Sequence, residues 1–194
     1  VRTIDPNTRD VALFTISGVT FTFGVSCIRF KSPNILYITD TYTTPSSNSI
    51  VKVTITNPLT GGNGERLTLA PYPTGFQPSR LAFDSNNNMY MSSTEDSVNS
   101  QTIYKINLDN LQTTSYVTIP EISATTGIQG IAFDSQNYMY FTGTSSSGNN
   151  CLLYRTTPNG ATTELVYTFL DADVITFTSM NYISWQDALI MTDT

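Results

Sequence analysis

The sequence predicts an all-β domain, a four-bladed β-propeller of four-stranded antiparallel blades. Three observations lead there. First, one block recurs without gaps as Ile28-Arg-Phe-Lys-Ser-Pro-Asn-Ile-Leu-Tyr-Ile-Thr-Asp-Thr41, Leu81-Ala-Phe-Asp-Ser-Asn-Asn-Asn-Met-Tyr-Met-Ser-Ser-Thr94 and Ile131-Ala-Phe-Asp-Ser-Gln-Asn-Tyr-Met-Tyr-Phe-Thr-Gly-Thr144. A shorter fourth copy runs from Ile183 to Thr194, and the starts lie 53, 50 and 52 residues apart. That is the length of one four-stranded blade. Second, no stretch sustains a 3.6-residue apolar period, and β-branched and aromatic residues dominate. Third, runs such as Ile35–Ile38 and Met89–Met91 are continuously apolar, as expected of a strand with a neighbour on both faces.

Each block reads as a strand, a polar turn and a second strand. Asp84–Asn88 and Asp134–Asn137 have hairpin-turn chemistry. Third strands are expected at Ile50–Ile55, Thr102–Leu108 and Leu152–Thr156, and fourth strands at Arg66–Ala70, Ser115–Ile119 and Glu164–Phe169. The glycine-rich stretch Asn57–Gly64 reads as a loop between them. The fourth copy supplies only two strands. The chain opens with the missing half: Val1–Pro6 resembles a third strand and Asp10–Ser17 a fourth, joined by a turn at Asp5-Pro6-Asn7-Thr8.

Residues 1–194 therefore form a single domain, with blade 1 at 25–72, blade 2 at 78–120 and blade 3 at 127–170. Blade 4 is split between 174–194 and 1–18. An unpaired blade edge templates association, so the last blade must be completed by the N-terminal strands of the same chain or of a neighbouring copy. A segment of a larger array, with six or more blades, is a third arrangement.

The composition removes several functions. The 194 residues carry nine basic and fifteen acidic side chains and no histidine, giving a net charge of −6. Without histidine there is no Ser-His-Asp or Cys-His catalysis and no imidazole proton shuttle. The acidic balance argues against a nucleic-acid partner, which requires a basic surface. No apolar run reaches the ~18 residues of a spanning helix, so no membrane span is expected. Low charge, 12% of residues, with abundant Thr, Ser and Asn, suits a secreted or cell-surface protein. The chain starts at Val1 with no leader pattern, so it reads as a processed chain or part of a longer one.

The run apolar-x-Phe-Asp-Ser-x-Asn-x-apolar-Tyr-apolar, followed by apolar-Tyr-Lys-Ile, resembles the NHL-type and gluconolactonase-like propeller superfamily. The opening Val1-Arg-Thr-Ile-Asp-Pro-Asn-Thr is similar to the Ile-Asp-Pro-x-Thr turn of secreted propeller repeats. The resemblance implies the fold; it does not choose among lactonases, binding modules and scaffolds. It would imply a divalent metal at the channel mouth, held by acidic and Asn side chains. The residues leading the first strands, Ser26-Cys27, Ser79-Arg80, Gln129-Gly130 and Asn181-Tyr182, offer no convergent carboxylates for one. None of Glu65, Glu95, Glu121 and Glu164 falls on a first strand. Asp84-x-Asn86-x-Asn88 superficially matches a calcium loop, but Met89 stands where the sharp turn requires Gly. No metal, cofactor or catalytic residue is therefore expected.

The interaction candidates are few. Arg2, Lys52, Lys105 and Arg155 recur at one third-strand position; they form either a ring of cations for an acidic partner or a covering row whose stems shield apolar surface. Asp40 and Asp193 end two second strands, where they bind a cation or cap a loop. Tyr42, Tyr72 and Phe76 read as exposed aromatics suited to a carbohydrate platform. Cys27 and Cys151 fall on opposite blades, too distant for a bridge. Cys27 reads as a buried free thiol, and Cys151, beside an exposed loop, as a thiol for pairing between molecules. The expected function is a non-catalytic extracellular propeller acting as a structural or adhesive unit, self-assembling through copies of itself. The alternative is a module binding a surface glycan, peptide or protein at one rim, and a metal-dependent lactonase-like hydrolase comes third.

Overall fold

The computed structural model describes residues 2–4, 8, 11–21, 24–41, 49–70, 76–93, 98–148, 150–170 and 177–193. Among the described residues the regular structure is seventeen strands and a 3₁₀ turn (Val98–Gln101). Blade 1 contains β4 (Gly24–Ser32), β5 (Ile35–Thr41), β6 (Ser49–Asn57) and β7 (Gly61–Leu67). Blade 2 contains β8 (Pro78–Phe83), β9 (Met89–Ser93), β10 (Thr102–Ile106) and β11 (Thr113–Thr118). Blade 3 contains β12 (Ile128–Phe133), β13 (Met139–Thr144), β14 (Cys151–Thr156) and β15 (Thr163–Phe169). In each, consecutive strands pair antiparallel in an unbroken meander. The remaining strands are β1 (Arg2–Ile4), β2 (Val11–Leu13), β3 (Thr15–Ser17), β16 (Phe177–Ile183) and β17 (Ala188–Asp193). The inner strands β4, β8, β12 and β16 stand side by side, and their sheets radiate outward. This is the β-propeller fold that the repeat predicts.

Most of the core lies in the seams between blades. Tyr37, Ile50, Phe76, Leu81, Met89 and Met91 fill the seam between blades 1 and 2. Tyr90, Ile103, Ile131, Phe141 and Tyr154 fill the one between blades 2 and 3. A smaller cluster, Ala132, Leu153 and Met180 with Tyr140 and Leu189 against it, joins blade 3 to β16–β17. The recurring second-strand tyrosine meets the inner-strand phenylalanine of the next blade. Tyr37 and Phe83 rings lie 5.3 Å apart, and Tyr90 and Phe133 rings 4.9 Å apart, within the range where tilted aromatic pairs attract.

Three expectations are corrected. The stretch Asn57–Gly64 is not all loop, since β7 begins at Gly61. Its glycines are required by close approach: a Cβ on Gly61 would sit 2.3 Å from the Thr15 carbonyl oxygen, and one on Gly64 2.6 Å from Val19. The approaching segment is the second correction. Asp10–Ser17 is not one strand; Val11–Leu13 pairs with β1, whereas Thr15–Ser17 adds to blade 1 as a fifth strand, parallel to β7. Phe14, between the two, is buried against Leu36, Ile38, Val51 and Val53, and that burial redirects the chain.

The third concerns the fourth repeat. Ile183 ends its inner strand rather than beginning it, because the sheet pairs Ile183 with Ala188 and Tyr182 with Leu189. The turn thus falls at 184–187, and the apolar residues before it form β16. β1 and β2 pair antiparallel with Arg2 opposite Leu13, the cross-strand placement that Lys52 has opposite Glu65 and Arg155 opposite Glu164. Yet β1–β2 and β16–β17 are separate two-stranded sheets, with no ladder between them among the described residues.

Candidate functional site

Two places gather polar side chains: the axis, and the seam between blade 3 and β16–β17. At the axis, Arg29 on β4 donates through Nε to the Leu81 carbonyl (3.1 Å) and through Nη2 to the Met180 carbonyl (3.1 Å). One side chain thus ties blade 1 to blade 2 and to β16. Arg80 on β8 donates to the carbonyls of Gln129 (2.7 Å) and Ser26 (3.0 Å). Burial lowers the Arg80 pKa from its ordinary value, with a nearby Arg29 pushing the same way. Beside Arg29 a pocket of about 190 Å³ is bordered by Phe30, Phe83, Phe133 and Tyr182, an aromatic from each inner strand. Among the described residues no three His, Cys, Asp or Glu side chains cluster as metal ligands. What lies at the axis is two guanidinium groups bonded to strand carbonyls.

The seam cleft is larger, about 390 Å³, and polar. Blade 3 contributes Asp134 and Tyr138 from the first turn, Tyr140 from β13 and Arg155 from β14; the fourth sheet contributes Tyr182, Asp187 and Leu189. Asp134 Oδ1 accepts the backbone N–H groups of Gln136 and Tyr138, both at 2.9 Å. This Asx turn places Asn137 in the left-handed region at φ 65°, as Asn87 (62°) and Asp187 (48°) are in their turns. The Tyr182 hydroxyl donates to Asp187 Oδ1 at 2.6 Å and lies 3.3 Å from Ser135 Oγ. Arg155 stacks over Tyr138, 5.1 Å to the ring centroid, and donates to Glu164. Hydrogen bonds with Tyr140 and then Glu164 raise the Arg155 pKa above its ordinary value.

The third-strand cations do not converge. Lys52 lies opposite Tyr37, Lys105 opposite Tyr90 and Arg155 opposite Tyr140, each in its own seam. Lys105 Nζ sits 5.8 Å from the Tyr90 ring centre, a geometry in which stem and charge cover the aromatic face. The side chain of Arg2 lies outside the described residues, as do Tyr42, Tyr72, Glu95 and the side chain of Asp193.

Phe76 is not an exposed platform. It is fully buried, edge-on to Tyr104 at 5.0 Å, because it plugs the seam between blades 1 and 2. Cys151 is likewise buried, not displayed for pairing, because it begins β14 opposite Thr144 inside the sheet. Burial raises its thiol pKa. Cys27 is buried and free. Asp40 is buried and paired with Arg66 at 2.7 Å, a partner that the sequence reading did not assign.

No family model matches the chain, and no curated protein matches it. Solved structures do. The aldose sugar dehydrogenase of Streptomyces coelicolor, in its PQQ-bound form, aligns over 99% of this chain and 67% of its own, with TM-score 0.62 and 14% identity. A virginiamycin B lyase from Staphylococcus aureus, solved with quinupristin, aligns over 99% and 70%, with TM-score 0.57 and 15% identity. A structure described as a gluconolactonase aligns over 86% of this chain and 54% of its own, with TM-score 0.55 and 12% identity. At such identities the likeness shows the propeller fold alone. The chain spans a little over half the length of the gluconolactonase and about two thirds of the other two.

Proposed function

We propose that the chain is a non-catalytic extracellular propeller acting as a structural and adhesive unit, its four-bladed ring completed by the β1–β2 ribbon of a neighbouring copy. One observation carries the reading. β11 and β15 share a bulge at the same place, the ladder skipping Tyr116 in blade 2 and Val166 in blade 3. In blade 2, Tyr116 and Val117 pack into the seam with blade 3. In blade 3 the corresponding Val166 and Tyr167 are 46% and 56% exposed, because β16–β17 provides no outer strands to cover them. Leu170 and Trp185 are also bare, at 76% and 81%. An apolar flank beside an open strand edge is an association surface.

The β1–β2 ribbon fits this vacancy. It has the outer-hairpin register, its Leu13 is exposed, and a lone two-stranded ribbon is marginal in water. The arginine-tied axis and the absence of histidine support a role without catalysis; the low charge supports an extracellular one. Light scattering behind size exclusion tests assembly. Mass rising with concentration is expected, with Tyr167→Lys and Leu13→Lys each shifting the protein toward monomer. A monomer mass unchanged over a hundredfold concentration range would overturn the reading.

A further inference from the structure

The cleft between blade 3 and β16–β17 differs from its counterpart between blades 2 and 3 in ways that leave an unfilled recognition site. In blade 2, Asp84 is saturated: Oδ1 caps the turn, and Oδ2 accepts Asn88 Nδ2 (2.7 Å) and the Tyr90 hydroxyl (3.2 Å). Tyr116 then covers Tyr90, with ring centres 4.9 Å apart, and its hydroxyl reaches the Thr157 carbonyl of blade 3. The turns are clasped by Asn137, whose amide accepts from Ser85 N–H and donates to Ser85 Oγ. That seam is shut.

Each closing group is changed one blade on. Tyr138 replaces Asn88, so among the described residues no hydrogen bond reaches Asp134 Oδ2. Val166 holds the register position of Tyr116 and is too short to repeat its cover over the second-strand tyrosine. Asp187 takes the left-handed turn position of Asn137, but a carboxylate has no N–H to donate and so cannot repeat the clasp. The result is the 390 Å³ cleft, near the lower end of the ~300–1,000 Å³ usual for small-molecule sites.

We infer that this cleft binds one pyranose unit of a saccharide. The free Asp134 Oδ2 and the Asp187 carboxylate accept hydroxyl hydrogens. The Tyr138, Tyr140 and Tyr182 rings offer amphipathic faces to the C–H side of a sugar ring. Arg155, held by Glu164, supplies a fixed donor without an unbalanced positive charge. The polar lining disfavours an apolar ligand, and the two carboxylates facing the cleft disfavour an anionic one. The cleft sits at the turn end of the seam and its lining includes no residue of β1–β2; Asp134→Asn therefore tests it apart from assembly, whereas Val166→Tyr, on the flank assigned to assembly, is read together with the mass measurement.

Saturation-transfer NMR and calorimetry on the intact chain test it, with the methyl pyranosides of glucose, galactose and mannose, and N-acetylglucosamine, as probes. At least one should bind saturably with a Kd of about 1 mM, as a small, solvent-open site allows. Asp134→Asn keeps the turn-capping oxygen but turns the free acceptor into a donor, and should weaken binding at least tenfold. Val166→Tyr copies the blade 2 plug and should abolish it, with the melting temperature held or raised. No saturable binding by any probe up to ~100 mM, or binding indifferent to both substitutions, overturns the inference.

Discussion

Arg29 is the side chain whose removal most directly tests the architecture. It alone among the described inner-strand residues hydrogen-bonds both blade 2 and β16, through the Leu81 and Met180 carbonyls. Replacement by Met keeps most of the stem volume and removes both donors. Hydrogen bonds from a charged group contribute about 1.5–3 kcal/mol each. The half-buried setting argues for the low end, so Arg29→Met should cost about 3 kcal/mol. For a domain of this length that is a fall in melting temperature of about 6–12 °C. The loss should be unevenly distributed. Hydrogen exchange should rise most in β16–β17, whose described contacts with the rest lie along blade 3, apart from this arginine. Blades 2 and 3, packed on two faces, should keep their protection. Arg29→Lys should recover little, because an ammonium lacks the fork that reaches two carbonyls at once. A melting temperature within 2 °C of the parent, or faster exchange spread evenly over all blades, would refute a ring held at its hub by guanidinium bonds.

Three further outcomes follow. Gly61→Ala would place a Cβ against the Thr15 carbonyl; it should cost about 2 kcal/mol and raise hydrogen exchange at Thr15–Ser17 before any other strand. Tyr37, Tyr90, Tyr116 and Tyr154 all have pKa values raised by burial. A folded-state pKa above the unfolded value gives stability that is present below about pH 10 and lost above it, by about 1.4 kcal/mol per pH unit for each tyrosine still protonated in the fold. Tyrosinate absorbance from these residues should therefore appear together with loss of the β-sheet circular dichroism signal, not before it. Cys27 and Cys151, both buried, should react with a thiol reagent only in denaturant; rapid modification of either in the native protein would contradict its place in the sheet.

The repeat made most of the fold legible. Three copies of one block located the inner hairpins, and the recurring cation at Lys52, Lys105 and Arg155 located the third strands. The features that escaped depend on contacts distant in sequence. Nothing local in Thr15-Ile16-Ser17 marks a parallel partner of β7, and Gly61–Gly64 looks like a loop until the strand pressing on it is known. Phe76 and Cys151 lie beside polar segments and read as exposed, yet a propeller buries residues by blade stacking, not by their immediate neighbours. The cleft had a signal: the substitutions that open it, Asn88 to Tyr138 and Tyr116 to Val166, are departures from the repeat. Aligning the blades to find where they disagree would have located it, whereas the agreements locate only the scaffold.

The axial arginines also decide what the hub depends on. Propeller hubs bring backbone carbonyls from several sheets toward one line, and their dipoles repel unless something positive lies among them. Here the positive charge is covalently part of the chain, and a guanidinium keeps it throughout the physiological pH range. These bonds draw on no bound ion: chelators, calcium depletion and mild acid should all leave the Arg29 and Arg80 contacts in place. A protein working in fluids of changing ionic composition would keep its shape without recruiting anything from its surroundings.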